Sequence, residues 1–89
     1  MDKQKLTTEI IINILKIRFN KDEIAYTETD HKNGIVENLI VIDDYYIKLV
    51  FDYYKDYKQI AIKICIDKKM VMFLEFQNLN NIINLLMAL

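Results

Sequence analysis

The spacing of apolar residues changes period twice along the chain, and the two changes divide it into three regions. Over residues 3–19 the period is helical. Leu6, Ile10, Ile14 and Ile17 form one stripe, and Lys5, Glu9, Asn13 and Lys16 mark a polar side. Ile11, Ile12, Leu15 and Phe19 form a second apolar arc beside that stripe. Two arcs exceed what one sheet contact covers, so the second is expected to meet another helix or another molecule. Asn20, which tolerates a left-handed backbone, is the expected stop.

From residue 24 the period becomes that of strands. Residues 24–30 and 35–42 flank His31-Lys32-Asn33-Gly34, and Asn33-Gly34 predicts a type I′ hairpin turn with the register open by a residue or two. Residues 35–42 are apolar enough in their second half to predict a central strand. After Asp43-Asp44, residues 45–54 alternate. Tyr45, Ile47, Leu49, Phe51 and Tyr53 share one face; Tyr46, Lys48, Val50, Asp52 and Tyr54 share the other. Lys55-Asp56-Tyr57-Lys58 is a charged turn, and residues 59–67 place Ile60, Ile62, Ile64 and Ile66 opposite Ala61, Lys63 and Cys65. Residues 70–76 fit a fifth strand or a helical extension.

In the last region the helical period returns. Leu79, Ile82, Ile83, Leu86 and Leu89 make a stripe, Asn78 is the expected N-cap, and Asn80, Asn81 and Asn84 are the polar side. No charge follows Glu75, so this helix is expected to bury even its asparagine side. Short connections between strands predict an antiparallel meander. The expected class is α+β: an N-terminal helix, a meander of four to five strands and a C-terminal helix, with both helices on one sheet face. Tyr46, Lys48, Tyr54 and Lys63 would remain on the open face.

Composition sharpens this picture. Eighty-nine residues make one domain, and a chain of that size buries only about 60–65% of its unfolded surface. A 53% apolar content offsets the small core, and one Gly with no Pro favours long regular elements over loops. The lone Cys65 can form no internal disulfide. The start lacks a signal-peptide pattern, and no apolar run approaches the ~20 residues of a spanning helix. The expectation is a cytoplasmic protein with no membrane role.

Net charge is −1 but strongly segregated. Residues 22–44 hold Asp22, Glu23, Glu28, Asp30, Glu37, Asp43 and Asp44 against Lys32 alone, for −6. Residues 1–21 and 45–69 each carry +3. Phosphate repulsion by the acidic block argues against direct nucleic-acid binding. An acidic surface of this kind steers instead onto a basic protein groove.

Candidate chemistry is sparse. His31 at a hairpin tip has no nucleophile or fixed carboxylate implied beside it. Cys65 shares a strand face with Lys63, but a small half-buried filler explains it better than an activated thiolate. Asp43, Asp44 and Asp52 match no calcium-loop spacing, and one Gly cannot build a phosphate-cradling loop. No enzyme, metal or cofactor is expected. The tyrosines carry the strongest signal: Tyr46, Tyr54 and Tyr57 on an exposed side would give rigid contact area at small entropic cost.

In size, in an Ile-, Lys- and Asn-rich composition typical of AT-rich genomes, and in helix–strands–helix order, the chain resembles small phage-encoded anti-defence proteins. Among these are anti-CRISPR inhibitors that occupy nucleic-acid channels with acidic side chains. The resemblance spans the whole chain in outline and rests on the seven acids, with no sequence motif. It implies a non-catalytic inhibitor binding a host nucleic-acid-binding protein through the acidic hairpin, Tyr46 and Tyr54. A second reading is a homo-oligomeric structural or chaperone-like protein, assembling as a homodimer through Ile11, Ile12, Leu15 and Phe19. A third places a small ligand against Tyr46, Tyr54, Lys63 and Cys65.

Overall fold

The corners of the fold fall where the backbone takes positive φ: Asn20, Lys32, Gly34, Asp43, Asp67 and Lys68. A computed structural model describes residues 3–55, 60–76 and 78–89. Between the corners run α1 (Lys3–Phe19), β1 (Tyr26–Asp30), β2 (Ile35–Ile42), β3 (Tyr45–Asp52), a 3-10 turn (Tyr53–Lys55), β4 (Ile60–Ile66), β5 (Lys69–Phe76) and α2 (Leu79–Met87). The strands form one antiparallel sheet in the order β1-β2-β3-β4-β5. This is the α+β meander expected, with β5 a strand throughout. The anticipated turn at 55–58 and the start of β4 at Gln59 fall largely outside the described residues.

Two-residue turns join β2 to β3 through Asp43-Asp44 and β4 to β5 through Asp67-Lys68, where both residues have positive φ as a type I′ turn requires. Asn33-Gly34 is not such a turn. His31 N–H donates to the Ile35 carbonyl, leaving Lys32-Asn33-Gly34 as a three-residue loop. Side chains brace it: Lys32 N–H donates to Asp30 Oδ1 at 2.8 Å and Ile35 N–H to Asn33 Oδ1 at 3.2 Å. Asn33 serves as an acceptor for the loop while Gly34, at φ +86°, supplies the left-handed backbone.

Ile40, Ile42, Ile47, Leu49, Phe51, Ile60, Ile62 and Ile64 make one face of the sheet and are buried under Ile11, Ile12 and Leu15 of α1 and Ile82 and Leu86 of α2. Each such side chain contributes about 1.5–3 kcal/mol by leaving water. The helices lie together on this face, and Arg18 Nε donates to the Met87 carbonyl at 3.2 Å. At the start of α2, Asn78 Oδ1 accepts from Asn80 N–H at 2.8 Å, the cap its position predicted.

Which side of α1 meets the sheet differs from the expected stripe. Leu6 and Ile17 are 43% and 71% exposed, while Ile11, Ile12 and Leu15 are core. Phe19 is half-buried with its ring edge-on to Tyr45 at 5.3 Å. These four residues therefore form the domain's own interior and offer no surface for assembly. The physical reason is a buried polar cluster. Gln4 and Thr8 lie on the inward face, and Asn38 of β2, fully buried, donates from Nδ2 to Thr8 Oγ1 at 2.7 Å. Thr8 Oγ1 in turn donates to the Gln4 carbonyl, 3.0 Å away, and accepts from Gln4 Nε2. Polar residues at inward positions hid the true stripe from a count of apolar periodicity.

Three smaller expectations also change. β3 ends at Asp52, whose Oδ1 accepts from Tyr54 N–H, so Tyr53 leaves the alternation and is exposed instead of core. Ile66, at the end of β4, is more than a third exposed. The side of α2 carrying Asn80, Asn81 and Asn84 faces solvent, since the buried Ile82 and Leu86 already supply its contact.

Candidate binding face

With both helices on one side, the other side of the sheet is uncovered among the described residues. Its side chains stand in three rows fixed by strand register. Thr27, Leu39, Lys48, Lys63 and Phe73 form the central row. Val41, Tyr46, Cys65 and Met70 form the second, towards the Asp43-Asp44 end. Thr29, Glu37, Val50, Ala61 and Glu75 form the third, towards the Gly34 end. Leu39, Tyr46, Lys48, Lys63 and Cys65, with Lys68 reaching over from the β4–β5 turn, line a shallow concavity of about 360 Å³. Its floor is apolar and its charged groups are ammonium groups alone.

Lys48 and Lys63 face each other directly across β3 and β4. Opposed residues have Cβ atoms about 4.5–5.5 Å apart, and like charges there disfavour the pairing. Glu37 offsets part of this repulsion, its Oε2 lying 3.6 Å from Lys48 Nζ and 3.5 Å from His31 Nε2. No ion pair to Lys63 occurs among the described residues. The positive φ of Lys68 turns a third cation towards the same concavity.

The structure separates the residues that the charge pattern grouped. Asp22, Glu23, Asp43 and Asp44 sit at one end of the sheet, where Lys21 Nζ holds Asp43 at 3.1 Å. Asp30 sits at the other end, opposite Val36, six residues and about 20 Å of strand from Ile42. Glu28 lies on exposed β1 facing the helix side, level with Asn38. Glu37 alone stands on the open face, between two cations. The seven acids thus form no single surface.

Tyr46 lines the concavity, whereas Tyr54 is 80% exposed beyond the far end of β3, with its ring against Gly34. The two do not meet, and Tyr57 lies outside the described residues. Leu39, Lys68 and Phe73 belong to the face but escaped the sequence reading. Leu39 looked like core in the apolar run 39–42, and Lys68 depends on a turn conformation that its residue type does not favour.

Among the described residues, no three or more His, Cys, Asp or Glu side chains converge as metal ligands would. Nor is any helix among them long and apolar enough to cross a membrane. Compared with protein-family models, curated proteins and solved structures, the chain matches none.

Proposed function

We propose that this chain is a non-catalytic protein-binding module whose open sheet face receives an acidic, partly apolar segment of its partner. The observation that carries this reading is the opposition of Lys48 and Lys63 over an apolar floor, with Lys68 beside them. Stability alone disfavours opposed lysines by about 0.2–1 kcal/mol. A partner carboxylate between them removes that repulsion, and Leu39, Tyr46 and Cys65 offer contact to an adjoining apolar side chain. Charge of this sort sets specificity and rate of encounter more than affinity.

This reading keeps the protein partner and Tyr46 from the sequence expectations and reverses the sign of the recognition surface. The inhibitor reading retains its protein-binding part, but the dispersed acids offer it no continuous acidic face. Selection of random peptides on the immobilised chain tests the proposal. Enriched sequences are expected to place Asp or Glu beside an aromatic or aliphatic residue, and K48E/K63E should abolish that enrichment. Enrichment of basic peptides by the original chain, or a consensus indifferent to K48E/K63E, would refute it.

A further inference from the structure

The sheet has two edges of opposite character. β1 is short, and all five of its residues (Tyr26, Thr27, Glu28, Thr29, Asp30) are exposed. Its charges and lack of aliphatic side chains protect it against pairing with another strand. β5 is eight residues long and reads KMVMFLEF. Met70, Val71, Phe73 and Leu74 are all more than two-fifths exposed, although they belong to the sheet. Because β5 is last in the strand order, its outward N–H and C=O groups have no strand to pair with in this chain.

Nothing on β5 blunts this edge along its centre. Its charges, Lys69 and Glu75, stand near its two ends. The register shift opposite Ile64 and Cys65 disturbs only the beginning of the strand, and Met72–Phe76 pairs regularly with β4. Nor does α2 shield it: this helix packs chiefly with α1, leaves Leu74 41% exposed, and presents uncharged Asn80, Asn81 and Asn84 to solvent.

We propose that β5 is a homodimer interface, pairing antiparallel with β5 of a second copy to join two sheets into one of ten strands. The edge supplies its own complement. A two-fold axis near Phe73 sets Phe73 beside its own copy on the open face and Met72 beside Leu74 on the helix face. It also brings Lys69 of each copy diagonally within reach of Glu75 of the other. Parallel pairing would set Lys69 against Lys69 and Glu75 against Glu75, so charge selects the antiparallel arrangement. The resulting contact is isologous and closes at two copies. It leaves the lysine-lined concavity uncovered, so it stands independently of the peptide-binding reading.

Sedimentation equilibrium of the full chain at high-micromolar concentration is the test. The expected mass is twice 10.7 kDa, falling to one chain's mass for F73K, while T27K on the opposite edge leaves it unchanged. Hydrogen exchange read at two protein concentrations serves as a second measurement on the unaltered chain. The β5 amides pointing away from β4 should be protected at the higher concentration and exchange freely at the lower. A monomer at high concentration overturns the proposal. So does a dimer whose outward β5 amides exchange freely, or a folded F73K that remains dimeric.

Discussion

Replacing Thr8 by Val removes the hydroxyl that links α1 to the sheet and leaves the shape of the side chain nearly unchanged. Asn38 is fully buried, its Nδ2 donates to Thr8 Oγ1, and its Oδ1 has no partner among the described residues. In T8V the whole Asn38 amide therefore sits unpaired in an apolar layer. An orphaned buried polar group costs about 1–3 kcal/mol. For a domain of this size, with total stability of roughly 4–13 kcal/mol, each kcal/mol lowers Tm by about 4–8 °C. T8V should thus melt on the order of 10 °C below the parent. N38L removes the amide and its unpaired oxygen together, while Thr8 keeps its bond to the Gln4 carbonyl. Replacing both partners with apolar groups of similar shape is near neutral or stabilising. The double variant T8V/N38L should therefore recover most of the T8V loss. Urea unfolding of all four proteins, followed by far-UV circular dichroism, gives the cycle, with a coupling of at least 1 kcal/mol expected. Additive effects would show that the cluster does not act as a unit and would refute the account of why α1 turns this face inward.

Two more predictions concern the same elements. I11K should abolish cooperative folding, because it places an unpaired charge in the core at a cost of several kcal/mol. I17K, on a side chain that is 71% exposed, should shift stability by no more than about 0.5 kcal/mol; comparable losses in both would reverse the assignment of the helix faces. G34A combines a left-handed backbone with a Cβ that would stand 2.8 Å from Tyr54 Cδ2. It should cost about 1–2 kcal/mol by denaturant unfolding. The exposed Tyr54 ring can swing aside, so G34A/Y54A should be little better, and full rescue would mean that steric contact, not φ, sets the cost.

Much of this fold was written in local pattern. The helical spacing of residues 3–19, the strict alternation of Ile60, Ile62 and Ile64, and the Asn78 cap all depend on neighbours within one turn or one pleat, and all appear where the sequence put them. Short connections made the meander order a local consequence as well. The face of α1 was not local. Gln4 and Thr8 turn inward because Asn38, thirty positions beyond Thr8, waits there to pair, and no helical period contains that fact. The same limit governed the candidate site. A count along the chain gathered seven acids into one block, but the antiparallel path sends Asp43 and Asp30 to opposite ends of the sheet. It brings Lys48 and Lys63, fifteen positions apart, side by side. Sequence by itself determined which segments are helix and strand, since each element's hydrogen bonds and side-chain period are set by its own residues. Only the tertiary structure decided which surfaces exist, because a surface is composed across strands by register and by what the helices leave uncovered.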